Sequence, residues 1–232
     1  MENGFPIGTE IERVKEFYAR GVRYITLCHS SNNDICDSST DKNGSEHDGL
    51  SKFGKEVVKE MNNLGMIIDV SHVSDKSFFD VVELSKAPVI ASHSSVREIA
   101  HHKRNMTDEM IKKLAENGGV IQICLLDEYI KDPDSTTIGY MLENEIREKY
   151  PRELPTVADY VDHVKSLVGI DYVGIGSDFD GGGGLEDCVD VSQFPNITRE
   201  MLKRGYTEDE ICKVWGGNFL RVFKELEKKA AN

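Results

Sequence analysis

The chain of 232 residues carries 41 Asp and Glu against 28 Lys and Arg, a formal charge of −13. A surface that acidic repels nucleic-acid phosphates and anionic lipid headgroups, which argues against nucleic acid as a partner. No stretch approaches the roughly 20 apolar residues of a transmembrane helix, and the opening Met-Glu-Asn-Gly lacks the basic and apolar regions of a signal peptide, so neither a membrane span nor a membrane partner is expected. The length suits one α/β barrel, and residues 1–232 are read as a single domain. Cys28, Cys36, Cys124, Cys188 and Cys212 are odd in number and without Cys-x-x-Cys spacing. They fit reduced thiols in a cytoplasmic protein better than a disulfide framework or a zinc knuckle.

Strand-like apolar runs alternate with helical periodicity, the pattern of an α/β fold with a parallel sheet. In chain order, helices are expected at 9–20, 51–64, 75–84, 107–116 and 157–168, several opening on a Ser, Thr or Asp suited to capping. Gly21, Gly65 and Gly118 stand where a helix must stop. Strands are expected at 23–28, 66–70, 89–91, 120–125 and 172–175. A closing segment, 207–226, begins with the capping box Thr207-Glu-Asp-Glu and ends in an amphipathic run expected to pack on the barrel's outside. Two long polar stretches, 30–49 and 132–155, follow strand C-termini and read as lids or disordered insertions. A closed barrel needs about eight strands, and only five are convincing.

Two of the strands each deliver a histidine at the C-terminal end: Met66-Ile-Ile-Asp-Val-Ser-His72 and Pro88-Val-Ile-Ala-Ser-His93. One such histidine is usually a packing residue, but two in equivalent places point to metal ligation by neutral imidazoles at the mouth of a barrel. A third strand leads into Gly174-Ile-Gly-Ser-Asp178-Phe-Asp180-Gly, where Asp178 suits a general base and Asp180 a loop-structuring role. The run 181–184 lacks the Gly-Lys-Ser/Thr ending of a phosphate loop and reads as a flexible tract. His29 ends the first strand on the same face and suits a substrate carbonyl or oxyanion. Arg104 could pair with a carboxylate, although by itself it reads as a surface cation. His47, His101, His102 and His163 have no such placement and read as solvated, and Glu2 reads as a frayed terminal residue.

Taken together, these blocks resemble the renal or membrane dipeptidase family of zinc peptidases in the amidohydrolase superfamily. The likeness runs through Glu2-Asn-Gly, the segment 21–29, 49–58, Ile68-Asp-Val-Ser-His-Val-Ser74, Ser92-His-Ser-Ser95, Arg104-Asn105, 116–120, 173–181 and 216–223. The resemblance implies a (β/α)8 TIM-type barrel and two zinc ions per active site, with dipeptides hydrolysed by a metal-bound hydroxide and a homodimer as the assembly. It assigns Glu2, His72 and His93 as metal ligands, His29 as catalytic and substrate-binding, Arg104 as substrate-binding and Asp178 as the catalytic acid/base. The family's His-x-Asp pair, which ligates the other zinc from the first strand, has no counterpart in this chain. The barrel is therefore expected to be incomplete, an N-terminally truncated form without the first two strands and most of the third, and impaired in activity. Two alternatives stand beside this reading: an amidohydrolase acting on another small amide, or a catalytically silent fragment that binds at most one metal.

Overall fold

A computed structural model describes residues 1–130, 156–186 and 188–230. The polar stretch 132–155, expected as a lid, lies outside the described residues. Five strands, β1 (Tyr24–Thr26), β2 (Ile67–Asp69), β3 (Ile90–Ser94), β4 (Val120–Cys124) and β5 (Val173–Gly176), form one parallel sheet in sequential order. The helices are α1 (Glu12–Ala19), α2 (Lys52–Leu64), α3 (Asp75–Leu84), α4 (Asp108–Glu116), α5 (Asp127–Ile130), α6 (Val157–Val168), α7 (Phe194–Lys203), α8 (Glu208–Cys212) and α9 (Asn218–Ala230). Helices fall between successive strands, the arrangement of a TIM-type barrel, of which these strands make an incomplete circuit.

Local chemistry explains the helix boundaries. The hydroxyls of Ser51, Ser74 and Thr107 accept from Gly54, Ser77 and Met110, capping α2, α3 and α4. Thr207 and Glu210 form the expected capping box of α8. At the other end of α2, Gly65 adopts φ 67°, a left-handed stop that a β-carbon would strain. The sequence reading missed α7, whose Pro195 at the first turn and buried Ile197 and Met201 mark a short amphipathic helix.

Alternation along the strands sorts their side chains onto two faces. Ile25, Ile68, Ala91, Ile121 and Val173 face the helices and share a core with Val58, Phe78, Ile111 and Val161. On the other face Ile67, Ile90 and Val120 pack with Val222 and Leu226 of α9, flanked by Tyr24, Phe219 and Phe223. The closing helix therefore covers the inner face, contrary to the expectation that it packs outside. Arg221 pins it there through bonds to the carbonyls of Gly118 (2.7 Å) and Asp171 (3.0 Å) at the N-terminal ends of β4 and β5. An amphipathic stripe says that a helix is buried on one side, not which apolar surface it finds.

The sheet curls tightly. A β-carbon on Gly176 of β5 would lie 1.9 Å from the carbonyl oxygen of Ser92 on β3, two strands away, so only glycine permits that approach. At the far edge the chain terminus is tied down: the Met1 ammonium donates to the Tyr24 carbonyl (2.8 Å), and Thr26 N–H donates to the Met1 carbonyl (3.0 Å). Met1 thus runs alongside β1, and Glu2 is not frayed.

If α9 seals the inner face, Leu226→Ala will lower unfolding free energy by about 2–5 kcal/mol in urea titration. Leu220→Ala, on the exposed side of the same helix, will stay within about 0.5 kcal/mol of wild type.

Candidate active site

Four of the residues singled out in the sequence meet at the C-terminal ends of the strands. Oε1 of Glu2 lies 3.2 Å from His72 Nε2, 3.3 Å from His93 Nε2 and 3.6 Å from His29 Nε2. The His29 and His72 rings stack at 4.2 Å, and His72 meets His93 edge-on at 4.9 Å. His72 and His93 are buried, whereas His29 and Glu2 open to solvent.

His72 and His93 reach this point by departures from regular backbone. His72 follows β2 in the left-handed region, at φ 72°, which swings its ring back over the strand end. A register shift between Ala91 and Ser94 interrupts the β3–β4 pairing, and this bulge lets Ser92 and His93 both serve the mouth. Burial, then the charges of Arg104, His93 and His29, drives the His72 pKa far below the usual imidazole range, so the ring is neutral.

The stretch 30–49 is ordered rather than a disordered insertion. Buried Asp37 organises it, accepting from Gly49 N (2.9 Å), Ser45 Oγ (2.6 Å), Glu46 N (2.9 Å) and His47 N (3.0 Å). Burial acts to raise the Asp37 pKa, but these bonds outweigh it and hold the carboxyl below its ordinary range. The ordered loop then props the site, because Ser39 N–H donates to the His72 carbonyl (2.8 Å) and Ser38 Oγ to the His29 carbonyl (2.6 Å).

Asp178 follows β5, also left-handed at φ 59°. It lines one cavity of ≈ 300 Å³ with Glu2, His93 and Gln122. The Cys124 thiol points at its Oδ2 from 3.8 Å, and burial, followed by the Asp178 charge, pushes that thiol up to about 12, which keeps it a protonated donor. Asp180 is exposed. In the glycine run after it, Gly183 N–H donates to the Asp178 carbonyl (2.7 Å) and Gly184 N–H to that of Leu125 (2.7 Å).

Arg104 is not a surface cation. Only 4% exposed, it donates to the His93 carbonyl (3.0 Å), lies 5.3 Å from the Tyr129 ring centroid, and leaves Nε without a partner. It shares a second cavity, ≈ 510 Å³, with His72, Tyr129 and Lys42. Sequence reasoning missed its supports. Asn105 bonds the carbonyls of Ala100 (2.8 Å) and Tyr129 (2.9 Å), and Arg97 joins Asp75 through two 2.7 Å bonds. Three histidines read as solvated are in fact engaged. His47 Nε2 bonds the Asn33 carbonyl (2.8 Å), His102 Nδ1 accepts from Arg104 N–H (3.1 Å), and His163 Nε2 pairs with Asp108 (2.6 Å). His101 is exposed as expected. Glu98, Asp108 and His163 also come close enough to share an ion, but Glu98 already accepts the Asp108 N–H (3.0 Å), so the trio reads as a clamp between α4 and α6.

Comparison with known proteins agrees with this geometry. The sequence pattern of the membrane dipeptidase family, peptidase family M19, matches residues 1–232. The chain is 39% identical over 228 residues to dipeptidase tcpJ of Claviceps purpurea, covering 97% of this chain and 50% of that protein. It is 36% identical to dipeptidase 3 of Macaca fascicularis, covering 98% and 44%. Among solved structures, the probable dipeptidase PvdM from Pseudomonas aeruginosa superposes with a TM-score of 0.86 at 34% identity, covering 99% of this chain and 69% of that one. A metallopeptidase from Rhodobacter sphaeroides, liganded with a phosphinate mimic of the dipeptide L-Ala-D-Ala, gives 0.82 at 25%, covering 97% and 62%.

The chain belongs to the membrane dipeptidase family. It spans about half the length of the curated relatives it matches. Metal binding by this dipeptidase-family chain is consistent with its own donor set. Tetrahedral coordination at metal–ligand distances of 2.0–2.1 Å sets donor atoms about 3.3 Å apart, which is the spacing of Glu2 Oε1 from His72 and His93. His93 Nε2 is moreover buried without a hydrogen-bond partner. Wild-type protein dialysed against zinc is expected to retain the metal, and His72→Ala and His93→Ala to lose it, as read by elemental analysis against a Glu98→Ala control that keeps it.

Proposed function

We propose that this chain holds zinc through Glu2, His72 and His93 and hydrolyses dipeptides. The convergence of the Glu2 carboxylate with two buried imidazoles at the mouth of the sheet carries this reading. Zinc, when bound, supplies an acidified water and an electrophile for the peptide carbonyl. Arg104, buried and incompletely bonded, offers its planar fork to the substrate's C-terminal carboxylate. The ≈ 510 Å³ cavity beside it is within the usual range for a small ligand. His29, exposed at the rim, donates to the oxyanion as the carbonyl becomes tetrahedral. Asp178 takes the proton of the attacking water and returns it to the departing amine. The relative that binds a phosphinate dipeptide mimic supports a dipeptide as substrate.

Among the described residues, Glu2, His72 and His93 make one donor set at the mouth, and one ion held by that set is the proposed complement of these residues. A second reading is a catalytically silent form that holds a single metal there, and it is favoured by the solvent exposure of Glu2, the carboxylate of the set.

Release of amino acids from dipeptides by the purified, zinc-loaded chain tests the proposal directly, and no release overturns it in favour of the silent form. Asp178→Asn is expected to lower kcat by about 10²–10⁴-fold. Arg104→Ala is expected to reduce kcat/KM for a free dipeptide by the equivalent of about 2–5 kcal/mol, with little change for the C-terminally amidated substrate. Equal losses on both substrates would point instead to another small amide.

A further inference from the structure

Asp69, the last residue of β2, is fully buried on the inner face yet stands apart from the groups around Glu2. Its carboxylate accepts at Oδ1 from the N–H groups of Ser71 (3.0 Å) and Ser92 (2.9 Å), and at Oδ2 from the hydroxyls of Thr26 (2.6 Å) and Ser92 (2.5 Å). Ser92 Oγ also lies 2.7 Å from Nδ1 of His93. A serine hydroxyl has one proton, and Asp69 takes it. The contact with His93 must then use a lone pair of Ser92 and a proton on Nδ1. That leaves the lone pair of His93 on Nε2, the buried atom that has no hydrogen-bond partner and lies 3.3 Å from Glu2 Oε1.

We propose that Asp69 is a positioning residue that acts through Ser92 to lock His93 in the Nδ1–H tautomer, aiming the Nε2 lone pair at the metal position. The inference rests on reading His93 as a ligand. The tautomer is set with or without metal, because the relay lies wholly within the protein. His72 differs: its Nδ1 is buried without a partner, so His93 is the ligand ring with a side-chain anchor. A buried carboxylate that gathers β1, β2 and β3 around one hydroxyl also ties the ligand's orientation to the strands themselves.

The test is nuclear magnetic resonance of metal-free protein carrying ¹⁵N-histidine, where long-range proton–nitrogen correlations report which ring nitrogen is protonated. Wild type is expected to show His93 protonated on Nδ1. Asp69→Asn should reverse the assignment. Its oxygen must stay with the two backbone N–H groups, its amide must face the hydroxyls, and Ser92 is left to donate to Nδ1. Ser92→Ala should remove the preference, and Ser92→Thr should restore it. Zinc affinity, measured by competition with a chromophoric chelator, should fall about 10–100-fold in Asp69→Asn and Ser92→Ala and hold in Ser92→Thr. Circular dichroism confirms folding, and if Asp69→Asn does not fold, the Ser92 pair decides alone. Protonation of His93 on Nε2 in wild type, or a tautomer unmoved by the Asp69 and Ser92 substitutions, overturns the relay. Wild type that shows the expected tautomer pattern but binds no zinc supports the relay and overturns the metal reading.

Discussion

Two acceptors face each other at the centre of this molecule. His93 has committed its proton to Ser92, so its Nε2 presents a lone pair to a carboxylate oxygen of Glu2 only 3.3 Å away. His72, neutral through burial, stands 3.2 Å from the same oxygen. Like-polarity groups at such distances in a partly dried pocket repel unless a cation or a proton lies between them. A divalent ion satisfies all of them at once, and the rest of the mouth is arranged around that demand.

The demand is met through strained backbone. His72 and Asp178 both hold left-handed conformations without being glycine, at a typical cost of about 1–3 kcal/mol each. Such conformations persist only where the surroundings over-determine them. At His72 the carbonyl is gripped by Ser39 from the ordered loop, and at Asp178 the carbonyl accepts from both Gly181 and Gly183. Gly181 leaves room for the acid, since a β-carbon there would sit 2.3 Å from its Oδ1. The apolar floor built by α9 lies at the opposite end of the strands. Packing stability and chemistry are thereby segregated along the strand axis, as a barrel allows.

Much of this was readable in the sequence because it was periodic. All five strands and five major helices fall where alternation and capping residues placed them, with ends shifted by a few residues. His29, His72 and His93 were legible because each terminates an apolar run. Glu2 was not, because position alone made it terminal, and the pairing of its neighbour Met1 to β1 and the family likeness reveal it. Arg104 misled a local reading because its burial comes from a partner distant in sequence, Tyr129, and the loop 30–49 did so because a polar composition does not reveal that one of its own carboxylates, Asp37, turns inward and gathers the rest. Asp69 did carry a signal: a carboxylate inside Met66-Ile-Ile-Asp-Val is a charge in a buried strand, and such a charge needs partners.

Arg104 shows the same economy of purpose. A guanidinium with 4% exposure loses most of its hydration, and a single carbonyl bond and an aromatic face do not replace it. Its Nε is left unpaired. Were the residue present only for stability, an apolar side chain of similar volume would serve the site better, as replacements of buried ionic groups often do. The arginine instead holds unspent hydrogen-bonding capacity at a fixed place beside His72, on the wall of an open cavity. On the function proposed above, a substrate carboxylate arriving there would gain a bidentate partner carried on a segment that Asn105 and the Arg97–Asp75 pair hold in place. Ordering entropy that would otherwise oppose binding has already been met during folding. On the function proposed above, the hydrogen-bonding capacity that Arg104 leaves unmet is what would select for a free carboxylate.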